Sequence, residues 1–230
     1  MYTVIHCGQN KKVGDDMNEN NLVYSKVFMW MFVGLLVTFV TGYALSLNIQ
    51  LVYNMVVAIG FWPYFIALIG IAIFLSARIR KMSPITAKIC FLLYSFITGL
   101  TFSMIFIVYE MESIIAVFGV TSVLFFLLAL YGYHTKKDVT KLGPMLFIAL
   151  IGSIVVSILN IFIFRSDTFE TVLSVIIIII FLGFIVYDMK KIKDWVREMG
   201  EEKGAIFGAF QLYLDFINIF IRLLSLFGND

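Results

Sequence analysis

The chain has 230 residues, 61% of them hydrophobic and only 14% charged, with a formal net charge of +2. Soluble domains run about 45–50% apolar and about 25% charged, so this composition excludes a water-soluble globular domain. The near-neutral balance gives no pull toward nucleic acid or strongly acidic ligands.

Residues 1–24 read as a short cytoplasmic tail and residues 25–230 as one membrane domain. The tail is mostly polar, lacks the apolar core of a signal peptide, and is expected to be mobile. Cys7 and Cys90 lie far apart and define no disulfide framework. His6 and Cys7 are adjacent, but two residues in a mobile tail make a poor metal site.

A spanning helix needs about 20 mainly apolar residues. Runs of that kind fall at 27–47, 53–76, 85–109, 113–133, 144–164, 171–189 and 206–227. Each has helix length, and none shows the alternation of a barrel strand. The expected fold is an all-α membrane protein, a bundle of seven transmembrane helices. The connections at Asn48 to Val52, Glu110 to Glu112 and Arg165 to Glu170 are too short for a separate soluble domain.

The basic residues sort by side. The tail (Lys11, Lys12, Lys26), "ARIRKMSPITAK", "HTKKDVTK" and "KKIKDWVREMGEEK" hold all but Arg165 and Arg222 of the 17 Lys and Arg. The positive-inside rule then places the N-terminus in the cytoplasm, and an odd number of spans places the C-terminus outside. The acids Glu110, Glu112, Asp167 and Glu170 fall on the opposite side. They read as solvated loops, and as a way to concentrate cations if the bundle conducts.

The last run, "LYLDFINIFIRLLSLFG", is unusual for carrying an acid and a base. Gln211, Asp215, Asn218, Arg222 and Ser225 are spaced 4, 3, 4 and 3 residues apart, which sets them on one narrow helix face. A charge at the bilayer centre costs about 2.5–3.5 kcal/mol even on lenient insertion scales. The stripe must therefore face other helices or water, and the C-terminal helix is expected at the centre of the bundle. Gly204 and Gly208 form a small-residue pair that permits close helix approach. Asn218 and Ser225 also read as ordinary interhelical hydrogen-bonding residues, and Arg222 as a side chain reaching the outer interface. Asp215 is different, because it lies about nine residues, or roughly 14 Å, into the helix.

Asp188, in "VYDMKKIK", is the candidate partner. It looks shallower than Asp215 by up to about two turns. If the two carboxyls meet in low dielectric they cannot both be ionised cheaply and would share a proton. Alternatively, Asp188 marks the membrane edge and pairs with Lys190 or Lys191 in water. Arg78, in "FLSARIRKMS", could reach an acid at that level, or be a plain interfacial anchor like Arg80 and Lys81.

"VYDMKKI" followed by "LYLDFINIFIRLLSLFG" resembles the end of the Bax inhibitor-1 family, also called the transmembrane Bax inhibitor motif family. "ARIRKMSPITAKICFLLYSFITGLTFSMIF" is similar to that family's second-to-third helix region, and the likeness runs from about Ser25 onward. The resemblance implies seven helices with the last one central and a calcium leak that responds to pH. It also implies that Asp188 and Asp215 are a proton-sharing pair and that Arg78 latches the closed state. Arg222 matches no family role. The resemblance implies no cofactor other than calcium as the permeant ion, with the lipid bilayer, calcium and protons as partners and protein partners unknown.

The chemistry is compatible with a leak. Calcium takes about 6–8 oxygen ligands. Asp188 and Asp215, with Asn218, Gln211 and water, could attract it only weakly and transiently, as permeation requires. An aspartyl intramembrane protease would also use two buried acids. Such proteases carry Gly-x-Gly-Asp at the second acid, whereas Leu212-Tyr213-Leu214-Asp215 stands here, so the protein is read as no enzyme. A proton-coupled transporter of a small solute would use the same buried acids. A scaffold would bind membrane proteins and move nothing. The compact loops favour a bacterial plasma membrane over the endoplasmic reticulum.

Overall fold

The structure is a computed structural model. It describes the backbone of residues 2–59 and 61–229, and the side chains of residues 21–54, 57, 68–163 and 165–229. His6 and Cys7 therefore lie outside the described side chains. The described residues form eight α-helices: α1 (Tyr2–Ser46), α2 (Ile49–Ile59), α3 (Phe61–Arg78), α4 (Pro84–Val108), α5 (Met111–His134), α6 (Leu142–Leu159), α7 (Asp167–Met199) and α8 (Glu201–Phe227). The backbone of the segment expected as a tail is part of α1.

Local chemistry sets several boundaries. Pro84 opens α4 behind Ser83, whose hydroxyl accepts from the Thr86 amide. At the end of α6 one π-helical segment, Asn160–Phe164, loosens the helix. The Asn160 side chain then ties to Ser166, accepting from its amide at 3.2 Å and donating to its carbonyl at 3.3 Å. Gly200 alone joins α7 to α8, with φ at +84°, a backbone angle that favours glycine.

Among the described residues, six helical stretches are long and apolar enough to cross a membrane. They are Asn21–Ser46, Pro84–Val108, Met111–His134, Leu142–Ile163, Asp167–Met199 and Glu201–Phe227. The expected span at 53–76 is divided between α2 and α3, and the side chains over much of it lie outside the described residues. The expected span at 171–189 is longer in the structure. α7 continues past it to Met199, and α8 begins at Glu201 rather than 206.

α8 sits at the centre. Along its apolar stretch 72% of residues are buried, against 17% to 44% in the other five. Lipid tails are as apolar as leucine, so this burial stabilises by close packing and hydrogen bonding rather than by escape from water. α1 and α4 run parallel: Gly34 meets Phe91, Gly99 meets Thr38 and Thr41, and Gly42 meets Phe102. α8 lies parallel to α1, with Thr38 on Tyr213 and Phe39 on Phe220. It lies antiparallel to α5, where Phe125 and Phe118 pack on Phe216 and Phe118 also on Phe220. α7 returns antiparallel to α8. A Cβ on Gly204 would come within 2.5 Å of the Val196 Cα, so the two backbones touch there.

Ion pairs gather at one end of the bundle. Lys26 bonds Glu201 at 2.5 Å, Arg80 bonds Glu198 at 3.1 Å and Lys88 bonds Glu202 at 3.4 Å. Each exposed pair contributes only about 0–1 kcal/mol. Together they place the starts of α4 and of the α1 span beside the α7–α8 turn. At the other end the Glu110 amide donates to the Asn229 carbonyl, and Gly228 packs on Tyr109.

Candidate functional site

The α7–α8 turn sets the depth of both acids. Asp188 lies 12 residues before Gly200 and Asp215 lies 15 after it. In two antiparallel helices the difference is three residues, about 4.5 Å at 1.5 Å per residue, not two turns. Side chains lean toward the start of their own helix. Asp188 therefore leans away from the turn and Asp215 leans toward it, which closes the remaining gap. The two carboxyls thereby face each other as a pair.

Both acids are sealed from solvent, at 2% and 4% exposure. Asp188 is buried and pairs with neither Lys190 nor Lys191. Lys190 donates to the Thr135 carbonyl at 2.6 Å, and Lys191 binds Asp194 at 3.0 Å. Among the described residues no Lys, Arg or His forms an ion pair with either acid. An ionised carboxylate only accepts hydrogen bonds, so the two can bond each other only when one carries a proton. The Asp215 Oδ2 atom is buried with no hydrogen-bond partner among the described residues.

The rest of the stripe divides. The Gln211 Oε1 atom, one turn from Asp215 toward the basic end, is also buried and unpartnered among the described residues. Asn218 is satisfied within its own helix, donating to the Leu214 carbonyl at 2.8 Å. Arg222 crosses to α7 and donates to the buried Ser174 hydroxyl at 3.3 Å. Ser225 is exposed. The five residues share a helix face but not an environment, and they do not line one continuous polar path.

Arg78 ends α3, is exposed, and makes no hydrogen bond or ion pair among the described residues. Contact between the basic loop and the α7–α8 turn runs instead through Arg80, which binds Glu198 and accepts from Lys203 at its carbonyl. Among the described residues no group of three or more His, Cys, Asp or Glu could hold a metal ion.

Sequence reasoning missed a second polar centre on the opposite side of α8. The Thr38 hydroxyl lies 2.6 Å from the Tyr213 hydroxyl and 2.9 Å from the Ser95 carbonyl. Tyr94 and Phe91 stand edge-on to the Tyr213 ring. This centre ties α8 to α1 and α4, as the acid pair ties it to α7. The available signal was Thr38, Ser95 and Thr98 inside otherwise apolar spans.

A central, mostly buried helix that holds one acid against another across a tight antiparallel hairpin defines a polytopic helical membrane protein with an internal carboxyl pair. The family model described as "Inhibitor of apoptosis-promoting Bax1" matches residues 20–230, and the chain belongs to this Bax inhibitor-1 family. It is similar to the inner membrane protein YbhL of Escherichia coli strain K12, at 42% identity over 219 residues, 89% of this chain and 90% of YbhL. An uncharacterized protein of Borreliella burgdorferi is 35% identical over 216 residues, 91% of this chain and 92% of the relative. One of Rickettsia prowazekii is 34% identical over 209 residues, with 89% and 88% covered.

Proposed function

We propose that the protein is a calcium-permeable leak channel of a bacterial inner membrane, its open population set by the proton on the Asp188–Asp215 pair. One observation carries this reading. Two carboxyls, with no paired cation among the described residues, face each other between α7 and α8, the most buried of the six apolar helices. Buried membrane acids are costly, and they mark ion or proton pathways. In the sealed conformation the pair holds α7 and α8 together. A change in its proton count alters the charge at that contact and so the balance between sealed and parted helices. Once parted, two carboxylates, the Gln211 oxygen and water would attract calcium without caging it.

The proposal includes seven spans, with the N-terminus in the cytoplasm and the C-terminus outside. Since α1 and α4 run parallel, the chain between them must return across the bundle. α3, at 18 residues, reaches about 27 Å at 1.5 Å per residue, close to the thickness of a hydrocarbon core. The inner-membrane location follows from the similarity to YbhL, which carries that description, and the orientation from the basic end. The reading involves no catalysis and no resident cofactor.

Calcium flux tests it. Purified protein in liposomes with an internal calcium dye is expected to pass calcium at a rate that depends on pH. Flux equal to that of empty vesicles from pH 5 to 8 would remove the reading. Saturable solute counterflow in its place would establish a transporter.

A further inference from the structure

Arg222 carries the second charge of the α8 stripe, and the acid pair does not use it. The residue is half-buried, and its guanidinium donates at 3.3 Å to the hydroxyl of Ser174, which is 1% exposed. A side chain that only anchors a helix end sends its charged head to water. This one sends it into the bundle. Ser174 lies seven residues after Asp167, the first residue of α7, which is about 10 Å along the helix.

The guanidinium has five N–H donors and keeps its charge at any pH a protein survives. The bond to Ser174 is the one that engages it among the described residues, and no carboxylate there pairs with it. Glu170 stands one turn before Ser174 on the same face of α7, but it is exposed. An unpaired positive charge is therefore lodged in the contact between α7 and α8. On α7 its partner Ser174 is 14 residues from Asp188, about 21 Å away and on the side remote from the Gly200 turn.

The consequence rests on the leak reading proposed above. Once α7 and α8 part, an ion moving between the acid pair and the end marked by Glu170 must pass the guanidinium. The Coulomb energy of that passage is proportional to the charge of the ion. An arginine fixed beside a narrow path is an electrostatic barrier to cations. A divalent ion meets twice the barrier that a monovalent one meets. We infer that Arg222 is a specificity-determining residue: its guanidinium, lodged in the α7–α8 contact, slows divalent cations more than monovalent ones and so limits the calcium leak.

Initial fluxes of calcium and of sodium into liposomes holding the full-length protein, read with ion-specific dyes at one pH and equal ion concentrations, test this. Arg222→Gln keeps an N–H for Ser174 but removes the charge. It should raise calcium flux about tenfold and sodium flux about threefold, because a barrier proportional to charge makes the monovalent factor the square root of the divalent one. Arg222→Lys keeps the charge and Ser174→Ala removes only the hydroxyl. Both should hold the wild-type calcium-to-sodium ratio within about twofold. Circular dichroism and the unfolding transition check that each variant is folded, and Arg222→Met, neutral and unbranched, stands in if the glutamine variant is not. Equal rises in both fluxes, or a Ser174→Ala protein that matches Arg222→Gln, point to a loosened helix contact and overturn the inference. Unchanged fluxes in a folded neutral variant, or an Arg222→Lys protein with the ratio of the neutral one, overturn it too. No flux of either ion through wild type or variants removes the leak reading and the inference with it. A wild-type leak whose ratio stays the same in the neutral variant removes the inference alone.

Discussion

The sharpest prediction concerns Asp215→Asn. Asparagine has the shape of aspartate but no titratable proton, and its amide can donate to the Asp188 carboxylate at the contact made in the structure. The sealed conformation should therefore survive while its dependence on proton concentration disappears. The size of the effect follows from linkage. If the open and sealed forms differ by one bound proton, the equilibrium between them shifts by at most about tenfold per pH unit, which is about 1.4 kcal/mol. Away from saturation the wild-type leak should show a clear part of that slope between pH 5 and 8, and Asp215→Asn less than about a twofold change over the same range. Asp188→Asn should behave alike, because the proton belongs to the pair and not to either member. The assay is initial calcium flux into dye-loaded liposomes with equal protein reconstituted, checked by gel and by a preserved helical spectrum. A folded Asp215→Asn protein that keeps the wild-type slope would refute the reasoning, because the slope would then arise from another group.

Other consequences of the fold can be checked more simply. Gly204→Val places a branched side chain where the Val196 backbone already lies within 2.5 Å of a Cβ position, and should cost roughly 1–3 kcal/mol in thermal or denaturant unfolding in detergent. Gly200→Ala puts a side chain at φ +84° and should cost about 1–2 kcal/mol, read by the same unfolding transition. Tyr213→Phe leaves the buried Thr38 hydroxyl its bond to a main-chain carbonyl, so the loss should stay near about 0.6–1.5 kcal/mol with no change in the pH slope of the leak. Reporter fusions at the two termini should report opposite sides of the membrane, as an odd number of spans demands. Reporters on the same side would mean an even number of crossings and refute the seven-span reading.

How legible the molecule is depends on whether one segment or two decide a feature. The apolar runs that became α1, α4, α5 and α6 are each decided by one segment, since twenty apolar residues in lipid have only the helix as a way to satisfy their backbone. The central place of α8 is legible for a similar reason: Asp215 has nowhere cheap to be except among other helices. The depth of Asp188 is decided by two segments. Counting apolar residues ends the sixth span at 189, but α7 continues to Met199 with Ile192 and Met199 buried beneath exposed Arg197. The charges after Asp188 therefore belong to the outer face of a continuing helix and not to a loop in water. The Thr38–Tyr213 contact is a matter of pairing too. A threonine or serine that bonds the carbonyl four residues back, as Thr121 does, looks the same in sequence as one that also bridges to another helix.

The same distinction explains why the stripe on α8 breaks up. A shared helix face requires only a spacing of three or four residues, whereas a shared environment requires a neighbour along the whole length. α7 supplies that neighbour unevenly. It offers an acid to Asp215 and a hydroxyl to Arg222, and it leaves Ser225 exposed. The acid meets its partner because the hairpin turns on one residue, Gly200, and because the helices touch at Gly204. A longer or looser turn would let α7 slide along α8. A slide of about 5.4 Å, one helical turn, exceeds the roughly 4.5 Å offset that the opposed side-chain leans now close. The chemistry of the pair thus rests on backbone geometry at the turn, 12 and 15 residues away from the carboxyls, and not on any residue that touches them.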